Sequence, residues 1–291
     1  MSLIYNATFD SQTRILSLLD KAGNVISSCE VPSKELVDDP NKPLMIRSLE
    51  NASTVKLIKN GTLSNTYQIS KNGKDWTDYT FGNEFILNNE DVLYFRCSNH
   101  PTTQSGSNYV NFVMTGEIEA WHNAYSMISS DFSSAEESVG DYGMTRLFSG
   151  CASLTKAPLL LNALSQDCYS SMFYNCTSLT QAPALPATNL AERCYSSMFF
   201  NCVSLTRAPA LPATTLAEEC YRAMLQTCSK LKEVRIAATR TAKDALNGWL
   251  YDVSATGDFY CDPNATIFPS GASGCPSGWT KHNIADYPST P

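Results

Sequence analysis

Long hydrophobic runs are missing from this 291-residue chain. No apolar stretch reaches the roughly 18 residues a membrane-spanning helix needs, so nothing in it reads as a span. The start does not read as a secretory leader, because Asp10, Arg14, Asp20 and Lys21 interrupt any apolar core. Val25-Ile26-Ser27-Ser28-Cys29 has the outline of a lipoprotein box but lacks that core. Basic clusters are missing as well. With 21 Lys and Arg against 28 Asp and Glu, the formal charge is −7, and nucleic-acid binding by counterion release lacks its footprint. The 43% hydrophobic content argues against disorder.

The chemistry of catalysis is sparse too. The three histidines, His100, His122 and His282, stand in different segments, with no Cys or acid at metal-ligand spacing. No Gly-rich loop precedes a Lys-Ser or Lys-Thr pair, and no Gly-x-Ser-x-Gly elbow occurs. Glu192, Glu218 and Glu219 fall at loop-like positions, where a solvated face explains them better than an acid/base pair. The expectation is therefore a protein that is not an enzyme and uses no cofactor.

Cysteine, by contrast, is plentiful, and its placement exposes the chain's main feature. Cys168-Tyr-Ser-Ser-Met-Phe-Tyr-Asn-Cys176-Thr-Ser-Leu-Thr-Gln-Ala-Pro-Ala-Leu-Pro-Ala-Thr returns 26 residues later as Cys194-Tyr-Ser-Ser-Met-Phe-Phe-Asn-Cys202-Val-Ser-Leu-Thr-Arg-Ala-Pro-Ala-Leu-Pro-Ala-Thr. A third start lies at Cys220-Tyr221, with Met224 and Cys228 in register, and a degenerate earlier copy runs from Met144 to Pro158. A fixed period of this size marks a solenoid, whose units bury their apolar faces against one another. Cys168 and Cys176 lie eight residues apart, about 12 Å along a helix and too far to bridge, so the repeat cysteines read as small buried hydrophobes stacked in columns.

In chain order, Arg14–Leu19 and Val25–Val31 flank a Gly/Asn turn and predict a small β unit, with a proline-rich linker up to Pro43. Residues 44–122 predict an antiparallel, Ig-like sandwich with strands at Leu44–Leu49, Thr54–Lys59, Thr66–Ser70, Glu84–Leu87, Val92–Cys97 and Tyr109–Met114. Asn60-Gly61 and Asn72-Gly73 are natural tight turns. Trp76, Tyr79, Tyr94 and Phe95 read either as a sandwich core or as a sugar-stacking platform, and the polar loop Ser98–Asn108 as a contact loop or plain solvated loop. The polar stretch 123–143 predicts the cover for the first open end of the solenoid. Within a repeat, Ala191, Cys194, Tyr195, Met198, Phe199 and Cys202 predict a one-sided helix, capped by left-handed Gly150, Asn175 or Asn201, followed by a short strand that proline ends.

The repeat pattern resembles the BspA-like leucine-rich repeats, found in surface proteins of gut and oral anaerobic bacteria and in proteins of their phages. Asn247-Gly-Trp-Leu, Thr256–Tyr260 and Pro269–Trp279 are similar to that family's C-terminal cap, and Asn72–Tyr79 with Tyr109–Gly116 to a β domain that commonly precedes it. The resemblance covers about residues 47–284; the first 43 residues resemble phage attachment hairpins more loosely. Cys261 and Cys275 stand where the family's pattern has other residues, which implies either one disulfide between them or two free thiols.

Together these readings give an α+β fold: an N-terminal β-hairpin segment and linker (1–43), a β-sandwich (44–122), a leucine-rich-repeat solenoid of 26-residue units with short parallel strands plus helices (123–236), and a C-terminal cap and tail (237–291). The resemblance implies a recognition or adhesion protein on a bacterial cell surface or phage virion, binding a host or neighbouring-cell protein or glycan. Residues 1–43 would join it to a virion partner or to its own copies; a purely structural virion part is the alternative. Two rows vary between repeats and are candidate ligand contacts, or else plain solvent face. One is Lys156, Gln181, Arg207 and Glu233 on the strands; the other contains Tyr174 and Phe200.

Overall fold

The computed structural model describes residues 6–10, 15–19, 22, 24–30, 36–99, 105–129 and 138–287. His100, residues 100–104 of the polar loop and residues 130–137 of the acidic stretch lie outside the described residues. The chain divides into two compact units, Met1–Asp38 and Asp39–Pro291. The first is a three-stranded antiparallel sheet of β1 (Asn6–Asp10), β2 (Ile15–Leu19) and β3 (Val25–Glu30), in that order.

The second unit starts with two facing sheets. Strands β4 (Met45–Ser48), β5 (Ser53–Asn60), β6 (Tyr67–Ser70), β7 (Thr77–Tyr79), β8 (Phe85–Leu87), β9 (Val92–Cys97), β10 (Tyr109–Thr115) and β11 (Ile118–Trp121) supply them. One sheet has the order β10-β5-β8; the other runs β11-β4-β9-β6-β7 and is extended beyond β11 by β12 (Leu154–Lys156). Phe95 of β9 meets Phe112 of β10 edge-to-face at 5.0 Å, joining the two sheets. Alternation buries Ser53, Val55 and Leu57 along β5 and every second residue of β9, as a sheet with one wet face requires. Tyr79 and Phe95 are core residues, and the Tyr79 hydroxyl donates to the Leu57 carbonyl at 3.1 Å. Gly61 and Gly73 sit in the left-handed region that their turns demand.

The repeats correct the expected fold class. Among the described residues there is no α-helix; the regular structure is almost entirely strand, with two short 3-10 turns. The segment Asp167–Cys176 is instead a run of tight turns with a strict alternation. The amides of Ser170, Met172, Tyr174 and Cys176 donate three residues back, to Asp167, Tyr169, Ser171 and Phe173. The amides between them, of Tyr169, Ser171, Phe173 and Asn175, donate to the next coil, at Cys194, Ser196, Met198 and Phe200. Every fourth residue is left-handed: Asp167, Ser171, Asn175, then Arg193, Ser197, Asn201, then Glu219, Ala223, Thr227. An α-helix would keep all its hydrogen bonds within one segment, and one this short is marginal alone. Here half the amides hold the neighbouring coil.

The ladder continues one coil past the last recognised repeat. Tyr221, Ala223, Leu225 and Thr227 donate to Ala245, Asn247, Trp249 and Tyr251. Side chains stack in register with it. Phe112, Phe148, Phe173 and Phe199 lie face to face at 5.2, 5.6 and 5.6 Å, and Tyr169, Tyr195 and Tyr221 at 5.9 and 6.1 Å. The second cysteine column is more than apolar filler. Cys151, Cys176, Cys202 and Cys228 each point a thiol at the carbonyl of Phe112, Phe148, Phe173 or Phe199, at 3.1–3.2 Å. Cysteine suits this place as a small hydrophobe that still carries a weak donor.

Strand β10 covers the first coil. The Phe112 amide donates to Leu147 at 2.8 Å, and the Asn111 side chain donates to the Arg146 and Ser149 carbonyls. At the far end β13 (Glu233–Arg235), β14 (Asp258–Cys261) and β15 (Thr280–Asn283) form a parallel sheet. Trp249, Phe259 and Phe268 close the core beneath it.

Candidate binding surface

Because each coil crosses the same edge at the same point, variable side chains line up across coils. Parallel bridges join Lys156 to Gln181 and Arg207 to Glu233. The row is not uniform. Lys156 lies with its ammonium 3.8 Å from the centre of the Trp121 ring and 3.4 Å from the Ala120 and Ala157 carbonyls. Gln181 and Arg207 are exposed. Arg207 faces the Glu233 carboxylate at 3.5 Å, with its own side chain 70% exposed, a geometry worth little as a stability device.

Beside Gln181 the two Ala-Pro-Ala-Leu-Pro copies leave a shallow apolar groove of about 450 Å³, lined by Gln181, Pro183, Leu185, Pro186, Pro209 and Pro212. Proline lacks an amide proton, so Pro183, Pro186, Pro209 and Pro212 cannot donate to a ladder between the two copies. The second row is also formed: Tyr174 and Phe200 stack at 4.6 Å, half-buried. Alongside them the Asn201 amide donates to Asn175 at 2.9 Å.

The structure adds a cluster that the sequence reading missed. The register of the C-terminal sheet sets Arg235, Tyr260 and His282 in one row and Glu233, Asp258 and Thr280 in another. Tyr260 stacks on His282 at 4.8 Å, and His282 contacts Asp258 at 2.7 Å. Tyr287 donates its hydroxyl to Glu233 at 2.5 Å; that bond, with burial, holds its phenol above the ordinary range. Glu233 belongs to the repeat row already named, whereas Asp258, Tyr260, His282 and Tyr287 lie outside the 26-residue period; only the alternation in Asp258-Phe-Tyr-Cys261 signals the outward Tyr260.

The buried thiols of the coils are poor nucleophiles. Burial pushes Cys168, Cys220 and Cys228 up to about 12, and Cys151, Cys176, Cys194 and Cys202 upward as well. Cys261 and Cys275 are buried free thiols, both raised by desolvation and both beside Lys281. Among the described residues no group of three His, Cys, Asp or Glu could hold a metal ion, and no helix is long and apolar enough to cross a membrane. What the surface offers is an apolar groove, a mixed-charge row and aromatic rings. No protein-family model matches the chain, and no curated protein or solved structure matches it.

Proposed function

We propose that the protein is a non-enzymatic recognition or adhesion protein, displayed on a bacterial surface or phage virion, that binds protein or glycan through the strand face of its coils. The observation that carries this reading is that Gln181, Arg207 and Glu233 hold equivalent places on successive coils, Gln181 lining the apolar groove and Glu233, bridged to Arg207, bordering the aromatic cluster. The similarity of the repeat motif to BspA-like surface proteins supplies the setting. A purely structural virion role is the second reading, favoured by the separate N-terminal unit. Its 38 residues are few for an independent core, and a neighbouring chain would cover them.

The test is binding of the labelled full-length protein to intact gut and oral anaerobe cells, beside a Gln181→Glu/Arg207→Glu variant with unchanged melting. Saturable binding that weakens at least about tenfold in the variant supports recognition, since hot-spot contacts are worth this much or more. Absence of binding by a folded, oligomeric sample supports the structural role.

A further inference from the structure

We infer that the C-terminal end of the strand face is a subsite for the phenol ring of a peptide tyrosine, occupied in the resting chain by the protein's own Tyr287. This rests on the reading of the strand face as a recognition surface, and names what one part of it takes. After β15 the chain makes a single 3-10 turn, Ile284–Asp286, pinned by the Asn283 side chain accepting the Ala285 amide at 3.0 Å. It then returns across β14 towards β13 and lays Tyr287 on the outward face. The ring edge meets Tyr260 at 4.9 Å and 88°, the Arg235 guanidinium stands 4.6 Å from the ring centre, and the hydroxyl donates to Glu233.

Three features mark this as a ligand seat. Its groups have contacts besides Tyr287: Glu233 faces Arg207 and Tyr260 stacks on His282. The incoming segment is expendable to the core, because none of Ile284, Ala285 and Asp286 is buried. Its chemistry selects one side chain. Phenylalanine would leave the Glu233 carboxylate without the donor, and a sugar hydroxyl would offer the donor without a π face for Arg235. A tyrosine satisfies both. A neighbouring tyrosine-bearing peptide therefore competes with Tyr287, which a short tether presents at an effective concentration on the order of millimolar. Occupancy of about 90% by Tyr287 weakens an external peptide about tenfold.

The experiment is fluorescence anisotropy with a labelled peptide of sequence Asn-Ile-Ala-Asp-Tyr-Pro-Ser-Thr-Pro, residues 283–291 of the chain. It is titrated with the intact protein, with a protein ending at Asn283, and with the intact chain carrying Tyr287→Phe. The expected result is about tenfold tighter binding by the truncated protein, a smaller gain for Tyr287→Phe, weaker binding of the peptide with phenylalanine in place of tyrosine, and loss on adding Glu233→Gln. A folded truncated protein that binds both peptides equally, or neither, or an oligosaccharide in their place, overturns the proposal. If truncation lowers the melting temperature, Tyr287→Phe alone decides: no gain in peptide binding overturns it. Cell binding that survives while the peptide fails refutes this subsite and leaves the broader reading standing; failure of both refutes both.

Discussion

Replacing Ala223 by glycine should stabilise the protein, although the same change in a helix destabilises it. Ala223 lies in the left-handed region at φ 50°, its amide bonded to Asn247 at 2.9 Å and its carbonyl accepting from Gln226 at 3.3 Å. An L-residue there carries about 1–2 kcal/mol of steric penalty, which glycine escapes. Glycine in turn loses about 0.5–1 kcal/mol more chain entropy on folding. The balance is a gain of about 0.5–1 kcal/mol, whereas a helix interior would lose about 1 kcal/mol. The two geometries thus differ in sign. Guanidinium denaturation at fixed m-value reads the effect directly, and extending the change to Ser171 and Ser197, at φ 55° and 53°, should enlarge it. A loss of about 1 kcal/mol for Ala223→Gly would refute the turn-and-ladder account of the coils.

Further consequences follow from the same geometry. Phe173→Ala removes the fully buried middle rung between Phe148 and Phe199 and should cost about 3–5 kcal/mol, read by chemical denaturation; a cost under about 1 kcal/mol would mean the column is loosely packed. Arg193→Leu leaves the Asp167 carboxylate, 8% exposed, without its cross-coil partner and should cost about 1–3 kcal/mol, with Arg193→Lys recovering part of it. The thiols of Cys168, Cys220 and Cys228, pushed up to about 12 in the fold, ionise near 8.5 when unfolded. Because the folded values are raised, their stabilisation is complete below pH about 8.5 and is lost as pH climbs towards 12. The denaturation midpoint should fall from pH 7.5 to 10, with native thiols slow to react with a disulfide reagent at pH 8; a flat midpoint and fast labelling would contradict their burial.

The repeat was legible in the sequence, but its local conformation was not, for a definable reason. The apolar positions Cys168, Tyr169, Met172, Phe173 and Cys176 fit a 3.6-residue helix and a four-residue turn almost equally. Over eight steps the two periods diverge by only about 80°, within the width of an apolar stripe. The discriminating signal lay between those positions: Asp167, Ser171 and Asn175 recur every fourth residue, all types that tolerate turns or left-handed backbone. Only the last was read as left-handed. In the sandwich, six strands showed through alternation, while Thr77–Tyr79 and Ile118–Trp121, short and less patterned, did not. The surface divided similarly. Gln181, Arg207 and Glu233 fall into a row by register alone, whereas Tyr260, His282 and Tyr287 meet only because β15 and its turn return to β13.

The coils and the two facing sheets should unfold as one. Their buried side chains form a single hydrophobic cluster running from Leu44 to Trp279. The joint is specific: Phe112 of β10 is the first rung of the phenylalanine column, its amide donates into the first coil, and its carbonyl accepts from Cys151. Cutting the chain there would expose Phe112 and leave β10 with an unpaired edge, a double cost in lost burial and lost hydrogen bonds. Calorimetry of the intact chain should therefore show one transition for residues 39–291, with calorimetric and van't Hoff enthalpies equal. A deletion of residues 144–284 should not leave a folded sandwich, as the loss of its near-UV circular dichroism would show. Two resolved transitions, or a cooperative melt of the isolated sheets, would break the argument. This coupling is why surface substitutions, rather than removal of the coils, are the sound way to locate the binding face.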